Sequence, residues 1–505
     1  MNATLSLASV LAEQAKRRPD RIALIEGEHR ITFGELWEQA RGQAAALIAL
    51  GIRPGDRVAL MCPNTAEFPR AYYAILAAGA VVVPVHLLLT AREAAHVLRD
   101  SGVTLMVCHP LFAPVGEAAA SIAEIPCVAP DSLSGEPIPA FVSRAPEDPA
   151  VIFYTSGTTG TPKGAELSHL NLVMNATVNA FDANDVRPEH VTLGALPLFH
   201  VFGQTVSMNS TWRAGAALVL QPRFDAAEAI RLMVAENVDT FHGVPTMYIG
   251  LIEAAARAER LPALRLCVSG GAALPGAVLE AFEATFGAQI LEGYGLSETS
   301  PSAAVNQPDF GSRAGTVGHP VWGVDVEIAD PDLGRAISLL PTGELGEVVV
   351  RGHNVFNGYI GNSAATEEAV VDGWFRTGDL GVKDEDGFVR IVDRTKDLII
   401  RGGFNVYPTE VEAALLRHPG IAQVAVIGVP DPTYGEEICA VVVPTESTLP
   451  DADTAAGIIE YGREHLAKHK YPRRVEFLNE LPLGPSHKVL KRELRLRYAV
   501  AHSDS

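Results

Sequence analysis

The sequence predicts an α/β protein built on parallel sheet with crossover helices, and three observations carry that prediction. Strand-like and helix-like patterns alternate from the N-terminus onwards. At 505 residues the chain is too long for one compact core, so two or more units are expected. Its composition, 48% hydrophobic and 20% charged, is that of an ordinary folded protein and argues against long disordered or collagen-like tracts.

The elements follow in order. RIALI at 21–25 reads as a strand, ITFGELWEQARGQAAALIALG at 31–51 as a helix with its lead-in, and DRVALMCPN at 56–64 as a second strand. The segment AYYAILAAGAVVVPVHLLLT at 71–90 has the length and apolarity to span a bilayer. Gly79, Val81 to Val83, Pro84 and His86 instead divide it into a buried helix, a turn and a strand. Asp225 followed by Glu228 makes a capping-box-like start, with Ile230, Met233 and Val234 at helical spacing before VDTFHGVP returns to strand. No fixed-period repeat and no Gly/Ser- or Pro-rich linker divides the chain.

A formal charge of −20 gives no overall field to attract nucleic acid or an anionic membrane. Only the stretch 468–492 is locally basic, with Lys468, Lys470, Arg473, Arg474, Lys488, Lys491 and Arg492 against Glu476 and Glu480, an excess that could face an anionic ligand. The cysteines, Cys62, Cys108, Cys127, Cys267 and Cys439, show no zinc or redox-dithiol spacing and fit a reducing, cytoplasmic home. The N-terminus lacks the pattern of a secretory signal. Monomer and homodimer are both left open.

The run YTSGTTGTPKG at 154–164, directly after the strand-like VIF, is suited to phosphate. Gly157, Gly160 and Gly164 allow close backbone approach, Thr155, Ser156, Thr158, Thr159 and Thr161 supply hydroxyls, and Lys163 supplies charge. A plain surface loop is the alternative, but the strand before it and the lysine at its end favour phosphate. It is not the loop of P-loop NTPases, because Pro162 precedes Lys163 and Gly164 follows it.

Together with PLFHVFG at 197–203, SGGAALP at 269–275, EGYGLSET at 292–299, WFRTGDLG at 374–381, DRTKDLIIRGGFNVYP at 393–408 and LPLGPSHKVLKREL at 481–494, this loop resembles the adenylate-forming superfamily. That superfamily includes acyl-CoA synthetases, 4-coumarate ligases, nonribosomal adenylation domains and firefly luciferase, and the resemblance covers essentially the whole chain. It implies a large N-terminal adenylation and acyl-binding domain, 1–396, of parallel and mixed sheets, and a small mobile C-terminal α+β domain, 397–505.

The resemblance also implies roles. ATP would be held by Thr155, Ser156, Gly157, Thr158, Thr159 and Lys163, by Gly271 and Ala272, by Glu292, Gly293, Tyr294, Gly295 and Ser297, and by Asp379, Arg394 and Lys488. Tyr294 resembles the ring that stacks on adenine, Ser297 the hydroxyl near the α-phosphate, and Asp379 the acceptor for both ribose hydroxyls. Glu298, with Thr155, would hold Mg2+, a hard cation suited to oxygen ligands. Lys488 looks like the catalytic lysine, which with the metal neutralises anions brought together during adenylation. Lys396 matches the hinge, and Gly402, Gly403 and Arg401 the thioester-forming segment that meets CoA. Asn405 sits where relatives often place a polar side chain near the phosphate. Two residues depart from the commoner pattern: His487 precedes the lysine where glycine is usual, and Arg401 replaces a small residue.

The implied reaction is carboxylate plus ATP giving acyl-AMP and pyrophosphate, then attack by CoA giving acyl-CoA and AMP. An acyl pocket would be formed by His200, His242, Gly243, Val244, Gly270 and Gly295, with His200 near the reacting carboxylate. Gly293 brings no positive charge beside Tyr294, which disfavours a dicarboxylate. A medium- or long-chain fatty acid is the expected substrate, with an aryl acid of cinnamate type as the alternative. A carrier-protein acceptor or a luciferase-like oxygenase would begin with the same step, whereas a P-loop phosphohydrolase would release ADP.

Overall fold

Two large sheets carry most of the N-terminal unit, and each has a parallel core with antiparallel strands at its edges. The computed structural model describes residues 3–155, 162–484 and 489–499. In the nine-stranded sheet the parallel core contains, in spatial order, Ile290–Gly295, Leu266–Ser269, Thr240–Gly243, Val191–Gly194, Ala217–Leu220 and Ile22–Glu26. A seven-stranded sheet is built around Arg57–Met61, Val81–Pro84 and Pro149–Thr155. Strands buried on both faces need apolar runs rather than alternation, and Val81–Pro84 and Leu105–Cys108 are buried throughout.

Local side-chain caps set the start of several helices. Thr32 and Glu35 close a complete capping box on the helix Phe33–Ala49. Asp225 accepts the Glu228 N–H at 2.9 Å and starts the helix Ala226–Ala235. Residues 71–90 form the end of the helix Glu67–Ala77, a turn with Gly79 at φ +76°, and the strand Val81–Pro84. Among the described residues no helix is long and apolar enough to cross a membrane. A side chain at Gly79 would be strained by its φ and would meet the Val142 side chain at 2.8 Å.

A five-stranded antiparallel sheet follows, with Gly346–Gly352, Trp374–Lys383 and Val389–Arg394 adjacent in space. The last sheet begins after four intervening residues at Ile399–Arg401 and contains Phe404–Val406, Ile421–Asp431, Gly435–Pro444 and Arg474–Phe477. It has its own apolar core, in which Ile399, Val411, Leu415, Val426, Ile438 and Ile458 are fully buried. All five cysteines are unpaired; Cys62, Cys267 and Cys439 are fully buried, and only Cys127 is half-buried.

Four cations in or beside the locally basic stretch are paired within the protein. Lys470 meets Glu410 at 2.8 Å, Arg474 meets Glu476 at 2.6 Å, and from the C-terminal helix Lys491–Ala499 Lys491 meets Glu412 at 2.7 Å and Arg495 meets Asp397 at 2.8 Å. The expectation that this excess waits for an anionic ligand is corrected for Lys470, Arg474 and Lys491. Both partners of the Lys491–Glu412 pair are largely buried, and the carboxylate also accepts the Val426 N–H at 2.7 Å. Removing one member of such a pair strands the other charge. Glu412→Ala is therefore expected to cost about 3–5 kcal/mol in chemical denaturation, whereas Glu412→Leu combined with Lys491→Met recovers most of the loss.

Candidate active site

Three of the sequence-predicted residues meet where the strand Ile290–Gly295 faces the turn in Trp374–Lys383. The Tyr294 hydroxyl donates to Asp379 Oδ2 at 2.6 Å, and Arg394 Nε lies 3.0 Å from Asp379 Oδ1. Asp379 and Arg394 are directly paired in register on adjacent strands, which fixes their distance independently of any ligand. Asp379 is 3% exposed. Burial and the neighbouring carboxylate hold the Tyr294 phenol well above its ordinary range, so it stays a donor, and Asp379 keeps the Arg394 guanidinium protonated. Lys396 lies close enough to Arg394 and Lys163 that burial, then these two cations, depress its ammonium.

The turn carrying Asp379 is itself braced. Glu347 accepts Arg376 Nε at 2.8 Å and the Gly378 N–H at 2.9 Å, and Thr377 Oγ1 accepts the Asp379 N–H at 3.1 Å. Four residues beyond Tyr294, the short 3₁₀ turn Ser297–Thr299 places Glu298 with 7% exposure, and the Tyr359 hydroxyl donates to its Oε1 at 2.9 Å. Lys163 Nζ sits 5.1 Å above the Tyr359 ring. Thr155 and Lys163 face each other in register on the two strands flanking the phosphate-loop candidate. Tyr359 was missed by sequence reasoning; the glycines on both sides of it in NGYIG were the available signal. Ser156, Gly157, Thr158 and Thr159 lie outside the described residues, as does Lys488.

Gly295 is required by space. A methyl group there would lie 1.8 Å from the Pro301 carbonyl oxygen. Gly271 has φ +82° in the loop after Leu266–Ser269, and Ala272 beside it is exposed. That loop reaches Glu292 through the Leu274 N–H, and Glu292 also accepts the Gly315 N–H at 2.8 Å.

The acyl-pocket candidates fall into two groups. The first surrounds the π-helical turn Phe202–Asn209, which begins just after His200. His200 is half-buried, and its Nδ1 accepts the Phe202 N–H at 3.4 Å. A methyl group on Gly270 would lie 3.2 Å from the Phe202 ring and 3.5 Å from the Gly293 carbonyl oxygen, so these residues share one wall. Phe199 packs edge-on against His86 at 4.8 Å. In the second group His242 is fully buried with Nδ1 3.2 Å from Ser207 Oγ, and its Nε2 has no protein partner. Burial pushes its pKa down to about 3, so the ring is neutral at ordinary pH. Gly243 makes room for the Phe241 and Tyr248 rings, and Val244 precedes the helix Pro245–Ala255.

Gly402 and Gly403 form the two-residue tip between Ile399–Arg401 and Phe404–Val406, at φ +57° and +83°. Two consecutive positive φ values are what a tight hairpin turn needs. Arg401 is engaged by Glu437 through Nε at 2.6 Å and Nη2 at 2.7 Å, and its guanidinium lies 4.1 Å from the Tyr434 ring centre. These contacts are all within the C-terminal unit. Asn405, beside this tip, is exposed.

Burial raises the Glu292 carboxyl to about 7, against the two N–H groups that favour its charge. In the folded state it holds a proton that the unfolded state releases above about 4.5, so it lowers stability as pH rises from there to about 7. Glu292→Gln keeps an acceptor for Gly315 and removes this penalty. Its stability gain over the parent is expected to be near zero at pH 4.5 and to grow to at most about 3 kcal/mol by pH 8, by denaturation across pH.

Two family models match the chain. The family model described as AMP-binding enzyme matches residues 11–360, and that of the AMP-binding enzyme C-terminal domain matches 410–488. A feruloyl-CoA synthase of Amycolatopsis sp. is 37% identical over 97% of this chain and 99% of its own. A long-chain-fatty-acid–CoA ligase of Bacillus subtilis (strain 168) is 34% identical over 97% of this chain and 94% of its own. The crystal structure of an anthranilate CoA ligase in complex with anthranoyl-AMP superposes with a TM-score of 0.92 at 27% identity, covering 98% of both chains. With matches spanning both units, the chain belongs to the AMP-binding enzymes, the adenylate-forming superfamily that includes the acyl-CoA synthetases.

Proposed function

We propose that this acid–CoA ligase acts on a monocarboxylic acid bearing an aromatic ring, which it activates as the acyl-AMP. The observation that carries the reading is the wall in which Phe202 lies on Gly270 beside Gly293, with Phe199 and His86 close to His200. Flat aromatic surfaces on such a wall suit contact with a planar ring. The feruloyl-CoA synthase relative supports it. The medium- or long-chain fatty acid expected from the sequence is the second reading, supported by the fatty-acid ligase relative.

Each residue then has a task. The Tyr294 ring faces adenine, while Asp379 uses lone pairs left free by Tyr294 and Arg394 to accept from the ribose. Lys163 and the hydroxyl-rich loop receive the phosphates. Glu298 fits Mg2+: it is a buried carboxylate with one oxygen held by Tyr359, and with the Thr155 hydroxyl it would offer a small oxygen set, as expected of an ion that shares nucleotide phosphates. When bound, the ion supplies charge neutralisation at the phosphates. Lys488 brings a second positive charge to the carboxylate and α-phosphate. The substrate carboxylate oxygen attacks the α-phosphorus and pyrophosphate leaves; the CoA sulfur then attacks the acyl carbonyl and AMP leaves. His200 borders the carboxylate, Gly402 and Gly403 give the CoA arm close backbone passage, and reorientation about Lys396, the proposed boundary after residue 396, exchanges Lys488 for that glycine turn. Arg401, held by Glu437, shapes the turn. A cytoplasmic location belongs to the same proposal, supported by the five unpaired cysteines.

The test is pyrophosphate release with ATP and magnesium across cinnamate-type, benzoate-type and straight-chain acids, with and without CoA, with products followed by mass spectrometry. Aryl acids turned over at least tenfold more efficiently than fatty acids support the reading, and the reverse preference overturns it. Acyl-AMP that accumulates unchanged when CoA is added redirects the acceptor to a carrier protein or to dioxygen. Lys488→Ala is expected to lower adenylation by at least about a hundredfold while thioester formation from supplied acyl-AMP survives; equal loss in both steps would remove Lys488 from its assigned role.

A further inference from the structure

The passage between the last two sheets is held from both sides. On the entry side the Thr395 N–H donates to the Gly378 carbonyl at 3.0 Å and Arg394 is bound to Asp379. On the exit side Arg495 of the C-terminal helix donates to Asp397 Oδ1 at 2.8 Å, and to the carbonyls of Asp397 and Lys396 at 3.4 and 3.5 Å. All but the Arg495–Lys396 contact lie within one unit, so they survive if the units turn against one another. Among the described residues three further hydrogen bonds cross the passage. Two are main-chain bonds that close a turn, from the Asp397 and Leu398 N–H groups to the Arg394 carbonyl at 3.0 and 3.2 Å. The third is from a side chain: Asp393 Oδ2 accepts the Thr409 N–H at 3.0 Å, from 16 residues away.

That third bond answers a need of the helix Pro408–Leu415. A helix leaves its first N–H groups without internal partners. Here the N-cap residue is Tyr407, which makes no side-chain capping bond, and Pro408 offers no N–H. Thr409 therefore presents an early unpaired donor, and Asp393, at the end of the preceding sheet, supplies the acceptor. Its other oxygen accepts the Arg394 N–H at 2.8 Å, and the residue is 6% exposed. A carboxylate so placed is a good cap only while the helix stays in front of it.

We propose that Asp393 is a positioning residue, a helix cap lent across the hinge, which biases the C-terminal unit toward the orientation seen here and is given up when that unit turns. The inference rests on the reading that the unit reorients between the two half-reactions. Loss of the cap should shift the balance between orientations without touching the chemistry of either step.

The experiment measures three quantities in the full-length enzyme: pyrophosphate release without CoA, thioester formation from supplied acyl-AMP, and ATP affinity. Asp393→Ala is expected to change the ratio of the two half-reaction rates by about fivefold, the population shift that loss of one helix cap produces, with ATP affinity within about twofold of the parent. Asp393→Asn, an equally good cap, should restore the parent ratio. Thr409→Pro deletes the donor from the other side in the first helical turn, where proline is tolerated. It should shift the ratio in the same direction, and it carries the test if Asp393→Ala does not fold. An unchanged ratio, or a parallel fall of both half-reactions, overturns the proposal. So does a loss of ATP affinity matching the fall in adenylation, which would place Asp393 behind Arg394 in the nucleotide site. Failure of the ligase reading shows separately, as absence of pyrophosphate release by the unsubstituted protein, and takes this proposal with it.

Discussion

One buried carboxylate, Asp379, ties together parts of the molecule that sequence order keeps far apart. Its oxygens hold a tyrosine from the nine-stranded sheet and an arginine at the end of the five-stranded sheet, immediately before the C-terminal unit. Burying a charge is tolerable only when it is paired and hydrogen-bonded, so the surrounding backbone must deliver both partners. The brace of Glu347, Arg376 and Thr377 fixes where Asp379 stands. The proposed nucleotide site and the proposed hinge are therefore not independent features. Any movement of Arg394 is felt by the same carboxylate that faces Tyr294.

Much of the frame was legible because its signals are local. The capping residue Asp225 and the left-handed Gly79 each specify a turn or helix end within a few residues. Gly79, with Val81 to Val83, Pro84 and His86, separated the helix-turn-strand at 71–90 from a membrane span. The motifs also located Tyr294, Glu298, Asp379 and Arg394, whose convergence the structure then displays.

What escaped the sequence is what depends on distant partners. Tyr359 matters through Glu298 and Lys163, neither of which is near it in sequence. Arg401 and the basic C-terminal stretch looked like free charge; yet Glu437, Glu410, Glu476 and Glu412 neutralise Arg401, Lys470, Arg474 and Lys491. Charge counts along a chain report composition, whereas pairing is decided by tertiary packing. The π-helical turn after His200 was likewise invisible, since no short pattern of residues separates it from an ordinary helix.

The placement of the cysteines gives the protein an internal clock for local opening. A buried thiol reacts with an alkylating reagent only when its surroundings open. Cys439 lies in the core of the last sheet, Cys267 lies in the nine-stranded sheet of the larger unit, and Cys62 directly follows the strand Arg57–Met61 of its seven-stranded sheet, all fully buried. The order in which these three become modified in the native enzyme would record which sheet breathes first. Because each thiol reports on the neighbourhood of a different sheet, that record needs no introduced label, and it separates loosening of the C-terminal unit from loosening of the larger unit.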